Sequence, residues 1–103
     1  MLLRLNLELE GYSVLEASSA AEVRRVLGSH DVDLLLLDVR LGDDDGVELA
    51  GTLRAEHPGI AIAFLTGSAF GLEKEVGDVA DAVIQKPFTL EALSETVARL
   101  TRR

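Results

Sequence analysis

Apolar residues form short unbroken runs along this chain, and a polar residue ends each run. The run Leu34–Leu37 stops at Asp38, and a second run over 60–65 stops at Thr66. Runs of this length without polar alternation are typical of strands that are buried on both faces of a sheet. This pattern predicts strands at Asp31–Leu37 and Ile60–Leu65. A shorter strand is predicted at Asp81–Gln85, directly before Lys86.

The segments between these strands carry helix signals. Ser19 to Glu22 has a capping-box pattern, which predicts a helix that continues to Leu27 and ends at Gly28. Asp45 is placed to cap a helix that runs from Gly46 to about Glu56. The remaining predicted helices are a weak one over Ala69–Gly77 and a final one that begins after Thr89, with Leu90, Leu93, Val97 and Leu100 on one face.

The start of the chain has two possible interpretations. Leucine alternates with polar residues over positions 3–10, which permits a strand. Strong helix formers and the glycine at position 11, a suitable C-cap, favour a helix over residues 1–10 instead. Tyr12–Glu16 is then predicted as a short strand. Strands that alternate with helices imply a parallel sheet covered by helices on both faces.

Composition narrows the class of protein. A length of 103 residues suits one domain, spanning 1–103. Ten basic against eighteen acidic residues give a net charge of −8, which opposes direct binding to nucleic acid. The chain has no cysteine and no apolar run that approaches the ~20 residues of a membrane span. Because the start also lacks a signal-peptide pattern, we expect a cytoplasmic protein without membrane contact.

Three polar side chains at the predicted strand ends suggest a common site. The carboxyl ends of parallel strands share one sheet edge, so Asp38, Thr66 and Lys86 can converge there. Taken singly, they have simpler interpretations as a turn former, a cap and a solvated charge. Together they fit phosphoryl chemistry, because a carboxylate can attack phosphorus while an ammonium and a hydroxyl stabilise the phosphoryl oxygens.

The motifs around these residues resemble the response-regulator receiver domains of the CheY-like family. The matching motifs are Leu-Leu-Leu-Leu-Asp-Val-Arg-Leu-Gly-Asp-Asp-Asp-Gly, Phe-Leu-Thr-Gly and Lys-Pro-Phe-Thr-Leu-Glu-Ala-Leu. The resemblance implies a flavodoxin-like, doubly wound parallel sheet and two-component signalling, with Asp38 accepting phosphate from a histidine kinase or a phosphotransfer protein. It further implies Thr66 as the switch hydroxyl, Lys86 as the phosphate contact before a cis peptide bond, and Mg²⁺ bound by Asp38 and the backbone carbonyl of Arg40.

The chain also departs from the pattern of this family. Receivers begin with a strand that ends in an acidic pair of metal ligands, and neither is present before Gly11. The resemblance therefore implies that residues 1–103 are a partial receiver domain. Mg²⁺ binding is therefore expected to be weakened or absent. Three explanations stay open: the chain is truncated, a partner chain or second copy supplies the strand, or residues 1–10 form it. Smaller departures are Gly42 in place of a common proline and Val83 in place of a common aromatic residue.

The same residues also allow other functions to be considered. A degenerate receiver, which binds proteins without being phosphorylated, is the alternative to the phosphoacceptor. A flavodoxin-like cofactor binder is disfavoured, because there is no Gly-rich phosphate loop and no aromatic residue suited to stacking on a flavin. The acidic run Asp43–Asp45 does not match an EF-hand, since its glycine falls at the fourth position rather than the sixth. We expect it to be a solvated loop with Asp45 as a helix cap.

Overall fold

A computed structural model describes residues 2–41, 43–67 and 79–101 of the chain. The predicted weak helix over 69–77 and Gly42 lie outside the described residues. The helices are α1 (Leu2–Leu9), α2 (Ala20–Ser29), α3 (Gly46–Glu56) and α4 (Leu90–Thr101). The strands are β1 (Leu34–Asp38), β2 (Arg40–Leu41), β3 (Asp44–Asp45), β4 (Ala61–Thr66) and β5 (Ala82–Gln85).

Three of the strands form a parallel sheet in the order β1-β4-β5. Leu34 pairs with Ala61 across β1 and β4, and Ala63 pairs with Ala82 across β4 and β5. Parallel neighbours need a crossover connection, which α3 provides between β1 and β4. The parallel α/β sheet predicted from the apolar runs is therefore confirmed, and the strand boundaries differ from the predicted ones by at most three residues.

Alternate residues of the sheet pack against different helices, as the two-residue period of a strand requires. One face packs against α2 and α3, and the other packs against α1 and α4. The first core includes Leu37, Ile62 and Phe64 of the sheet with Val23, Leu49, Ala50 and Leu53 of the helices. The second core includes Leu65 and Ile84 with Leu7, Leu93 and Val97.

Helix α1 confirms the helical interpretation of the first residues. Gly11 follows it with a φ of 100°, a left-handed conformation that glycine adopts without steric cost. The amide of Gly11 donates to the carbonyl of Glu8, and the amide of Tyr12 donates to that of Leu7. These bonds satisfy carbonyl groups that a helix end leaves without a partner. The alternative that residues 1–10 form a strand is therefore wrong.

Helix α2 begins as predicted but ends later. The hydroxyl of Ser19 accepts a hydrogen bond from the amide of Glu22 at 3.2 Å. The helix does not end at Gly28 but runs to Ser29, where the amide of His30 donates to Val26. The reciprocal bond of a capping box is absent, because the Glu22 carboxylate accepts from the hydroxyl and amide of Ser18 instead. These donors lower the pKa of Glu22 below its usual 4.5.

Two predictions about the first half of the sheet are wrong. Residues Tyr12–Glu16 have no strand partner within the described part of the chain, although Val14 packs against the second core. The leucine run of β1 is not buried on both faces, since only Leu37 is buried there. Both differences have one cause: in the described residues β4 is the only neighbour that β1 has, so its other edge stays open.

None of the described helices is long and apolar enough to cross a membrane.

Candidate functional site

The carboxyl ends of the sheet bring together the three residues that the sequence predicts. Asp38 is the last residue of β1, and it pairs with Leu65 in β4. Thr66 ends β4 and pairs with Gln85, so Lys86 comes directly after the last residue of β5. This staggered register places the carboxylate, the hydroxyl and the ammonium group at the same edge.

Asp38 and Lys86 are in direct contact. The Nζ atom of Lys86 donates to Oδ1 of Asp38 at 3.0 Å, and each side chain is 47% exposed. An ion pair this open to water gains little free energy, because water and salt screen it. The pair therefore holds a cation next to the carboxylate, and separating the two groups would cost little free energy.

Thr66 lies beside this pair and is more deeply placed. It is 8% exposed, and it is the only buried polar residue in the described part of the chain. Its backbone carbonyl accepts a hydrogen bond from the amide of Lys86 at 2.6 Å, which ties the end of β4 to the residue after β5. A shallow depression at this edge is lined by Asp38, Val39, Leu65, Thr66, Gly67 and Lys86.

The chain leaves Lys86 through a cis peptide bond to Pro87, as the family resemblance implies. It then enters α4, where the hydroxyl of Thr89 accepts a hydrogen bond from the amide of Ala92 at 3.0 Å. The predicted cap at Thr89 is confirmed. Residues 87–89 therefore form a short connection between Lys86 and α4, which begins at Leu90.

The segment after Asp38 forms a small hairpin that the apolar pattern does not predict. Its strands β2 and β3 are two residues each, with Arg40 paired to Asp45 and Leu41 paired to Asp44. Strands this short give no detectable periodicity, which is why the sequence indicates only a loop. The aspartate run offers one signal for it, since acidic residues are common in turns.

Two aspartates of this hairpin bind the first turns of two helices. Asp45 Oδ1 accepts from the amides of Val47 at 2.9 Å and Glu48 at 3.3 Å, so the predicted cap of α3 is confirmed. Asp44 Oδ2 accepts from the amide of Ala20 at 2.9 Å, at the start of α2. This second contact joins distant parts of the chain and has no local sequence signal.

The donors at the site fit Mg²⁺ in kind but supply few ligands. Mg²⁺ prefers oxygen atoms and is commonly bound through one or two carboxylates, water and phosphate oxygens. The carboxylate of Asp38 and the backbone carbonyl of Arg40 are oxygen donors of this type. The described residues contain no group of three or more acidic or histidine side chains that could hold a metal ion. Asp44 and Asp45 already accept hydrogen bonds from helix amides.

A parallel α/β sheet with an aspartate, a threonine and a lysine at its carboxyl edge is the arrangement of a signalling receiver. The chain belongs to the response regulator receiver domain family, whose model matches residues 1–98. Receiver domains of this family act in two-component signal transduction, and that is the functional class of this chain.

Individual relatives support the same assignment. The aerobic respiration control protein ArcA of Escherichia coli K12 is 37% identical over 100 residues, which cover 93% of this chain and 41% of ArcA. A CheY-like receiver domain protein from Methanospirillum hungatei superposes with a TM-score of 0.87 at 29% identity, covering 94% of this chain and 79% of that one. The receiver domain of NtrX from Brucella abortus has a TM-score of 0.89, covering 97% and 87%; at 21% identity it supports the fold alone.

The curated relatives are longer proteins. This chain spans about two fifths of the length of ArcA and about two fifths of the transcriptional regulatory protein YvrH of Bacillus subtilis, to which it is 41% identical over 100 residues, 93% of this chain and 42% of YvrH. The similarity therefore assigns this chain to the receiver class. It does not extend to the rest of these longer relatives or to their activities.

Proposed function

We propose that Asp38 accepts a phosphoryl group from a phosphohistidine of a histidine kinase or a phosphotransfer protein. A carboxylate oxygen attacks phosphorus, an O–P bond forms, the P–N bond breaks, and the imidazole leaves with the electron pair and takes up a proton. The observation that carries this proposal is the 3.0 Å contact between Lys86 Nζ and Asp38 Oδ1 at the carboxyl edge of the sheet. In the proposed transfer this cation would lie where negative charge develops.

The neighbouring groups have distinct roles in this proposal. Lys86 neutralises charge on the phosphoryl oxygens, and the hydroxyl of Thr66 donates a hydrogen bond to one of them. Asp38 and the backbone carbonyl of Arg40 would hold Mg²⁺, which supplies further positive charge to the phosphoryl oxygens when it is bound. In this proposal residues 1–103 belong to a single receiver domain. It is a phosphoacceptor rather than an enzyme with turnover of its own.

Phosphorylation would act as a switch through the same contacts. An aspartyl phosphate adds negative charge and strong acceptor oxygens next to Lys86 and Thr66. Both residues would move toward the phosphoryl group, and Lys86 is followed by the short connection to α4. The surface around α4 would therefore change, and this surface is where we place the protein contacts that carry the signal.

We also propose that the open side of the sheet accepts a strand from a second copy or another protein. The outer edge of β1 and residues 12–17, which form no helix or strand, have no ladder partner within the described ranges. Unpaired strand edges are templates for added strands. Sedimentation equilibrium tests the homodimer form: a dimer is expected, and a monomer at all micromolar concentrations would contradict it.

The remaining proposals concern the binding partners of the chain and its cellular compartment. With a net charge of −8 the chain itself would not bind nucleic acid directly, and its partners would be proteins. We place it in the cytoplasm, because phosphohistidine donors are formed there from ATP.

The phosphoacceptor proposal is tested by incubating the chain with acetyl phosphate and Mg²⁺ and measuring its intact mass. One added phosphoryl group that hydroxylamine removes is expected on the unmodified chain. Asp38→Ala should abolish the label, whereas Asp43→Asn, a change at an exposed carboxylate after the same strand, should leave it unchanged. An unlabelled wild-type chain, or a label that persists in Asp38→Ala, would contradict the proposal.

The alternative is a receiver that binds proteins without being phosphorylated. It would follow if Mg²⁺ binding were too weak to support phosphoryl transfer, and the described residues contain no group of three or more acidic or histidine side chains. It predicts no label from acetyl phosphate at any Mg²⁺ concentration. It also predicts that Asp38→Ala leaves binding of a partner protein unchanged, which a pull-down with matched concentrations of both chains would measure.

A further inference from the structure

We propose that Gly46 is a positioning residue for Asp38, because the absence of a side chain there allows the backbone of Asp38 and Val39 to lie against α3. The inference rests on the proposed function of Asp38 as the phosphoacceptor. Gly46 is the first residue of α3, and it is buried. It touches the backbone of the acceptor rather than its carboxylate.

The space at Gly46 is fully occupied by backbone atoms. A Cβ atom there would lie 2.7 Å from the carbonyl oxygen of Val39 and 2.9 Å from its carbonyl carbon, and it would overlap the carbonyl oxygen of Asp38. Real Cβ atoms essentially never approach other atoms this closely. A side chain could rotate away from such a contact, but these are main-chain atoms, so the backbone itself would have to move.

The requirement concerns space rather than backbone conformation. Among the described glycines, Gly11 is the one with a positive φ, so the dihedral angles of Gly46 suit any residue. The close approach comes from the β2–β3 hairpin, which leaves the sheet at Val39 and returns at Gly46. The amide of Gly46 donates to the carbonyl of Val39 at 2.7 Å and closes the base of this hairpin.

Displacement of the Asp38 backbone would change its contact with Lys86. The direction of the Asp38 side chain is determined by its own Cα position, which would shift with the carbonyl group. Lys86 is held independently, because its amide donates to the carbonyl of Thr66 at 2.6 Å at the end of the β4–β5 pair. Lys86 would not follow, so the 3.0 Å contact between Nζ and Oδ1 would lengthen.

The same helix offers a matched control. Gly51 also lies in α3, and a Cβ atom there would meet only Cγ1 of Val79 at 3.9 Å, an ordinary van der Waals distance. Gly46→Ala and Gly51→Ala add the same methyl group and gain helix propensity in the same direction. They differ in the backbone contact, so a difference between them reports on that contact.

The first measurement is a zero-length cross-link. A water-soluble carbodiimide activates the Asp38 carboxylate, Lys86 Nζ displaces the activating group, and an isopeptide bond forms with net loss of one water. Mass spectrometry of the digested chain quantifies this link. Wild type and Gly51→Ala should form it equally, and Gly46→Ala should form it roughly tenfold less per folded molecule, since reactions of this kind depend steeply on alignment.

The second measurement is the rate of labelling by acetyl phosphate under the same conditions. Gly46→Ala should lower the rate per folded molecule roughly tenfold, whereas Gly51→Ala should leave it unchanged. If wild type is not labelled at all, the proposed function fails, and the cross-link still decides the role of Gly46. Equal cross-linking in the two alanine variants would overturn the inference.

Both measurements must distinguish a loss of folding in Gly46→Ala from a displacement of Asp38 in the folded protein. If Gly46→Ala is partly unfolded in buffer, all three chains are compared in trimethylamine N-oxide, which favours the folded state. A cross-link that stays low in the refolded variant supports the positioning role. A cross-link that returns to the level of Gly51→Ala, or a variant that stays unfolded, shows that Gly46 serves the fold alone and overturns the inference.

Discussion

Strands β1 and β4 are both apolar runs in the same parallel sheet, yet they are buried to very different extents. Residues Ile62–Thr66 of β4 are all buried, whereas Leu37 is the only buried residue of β1. The difference lies in their neighbours, since β4 pairs on both sides and β1 pairs on one side within the described chain. An apolar run therefore indicates a strand, while its burial depends on what the rest of the molecule places beside it.

The largest expected effect is on the free energy of unfolding when the same leucine-to-alanine substitution is made in β4 and in β1. Leu65→Ala in β4 should lower the free energy of unfolding by about 3 kcal/mol, because it removes a buried side chain and leaves a cavity. Leu36→Ala in β1, on the same face but half-buried, should cost about half as much. Urea denaturation followed by circular dichroism measures both, and equal losses would show that β1 is as protected as β4.

The next effect concerns the start of β4, where Arg54 of α3 makes several hydrogen bonds. Its guanidinium donates to the carbonyl of Ile60 at 2.9 Å, to that of Val79 at 3.2 Å, and to Asp81 Oδ2 at 2.7 Å. Asp81 Oδ2 in turn accepts from the amide of Ile62 at 2.9 Å. A lysine cannot reproduce this fork of donors, so Arg54→Lys should lower the free energy of unfolding by about 2 kcal/mol.

Arg24→Lys is the control for this change. Arg24 contacts Glu56 alone among the residues described, through an exposed pair at 2.9 Å, and exposed pairs of this kind contribute little. Its substitution should stay within about 0.5 kcal/mol of wild type. Similar losses for both variants would mean that Arg54 contributes charge rather than its several directed hydrogen bonds.

A smaller effect is expected where the hairpin meets α3. Asp45→Ala removes the acceptor for the amides of Val47 and Glu48 and should cost about 1 kcal/mol. Asp43→Ala, two positions earlier and exposed, should be close to neutral. Thermal denaturation measures the midpoint temperature of each variant. If both variants unfolded at the same temperature as wild type, the cap would not contribute to stability.

The smallest effect lies on the open side of the sheet, at the start of α2. The folded pKa of Glu22 is below its usual 4.5 because Ser18 donates two hydrogen bonds to the carboxylate. The carboxylate therefore stabilises the fold above pH 4.5, and this contribution disappears as the pH falls through the folded pKa. Ser18→Ala should raise the pKa of Glu22 toward 4.5, which an NMR titration of the side-chain carboxyl carbon would detect. An unchanged pKa would exclude the Ser18 hydroxyl as its cause.

Local patterns predict most of the fold and the meeting of the three site residues. The apolar runs and the caps at Ser19, Asp45 and Thr89 depend on neighbours in the sequence, and each of these caps is confirmed. The parallel order of the strands then brings Asp38 and Lys86 together, because carboxyl ends share an edge.

The features that sequence patterns miss depend on distant residues or on backbone contacts. The strand predicted at Tyr12–Glu16 needs a neighbour to pair with, and its composition cannot supply one. The bond from Ala20 to Asp44 joins residues 24 positions apart. Gly46 ends the first motif of the family resemblance, but its approach to the carbonyl groups of Asp38 and Val39 is visible only in the structure. The family resemblance implies roles for Asp38 and Lys86, whereas the proposed role of Gly46 rests on the packed backbone around it.

The acidic hairpin implies an uneven tolerance to substitution along three identical residues. Asn, Ser or Thr could take the place of Asp45, because each has an acceptor oxygen suited to a helix start. Asp44 needs an acceptor that reaches a different helix, so a shorter serine would leave the Ala20 amide without it. Asp43 is exposed, and many residues would serve there. A library randomised at these positions and selected for folding should therefore retain Asp most often at 44, accept its small polar substitutes at 45, and show little preference at 43.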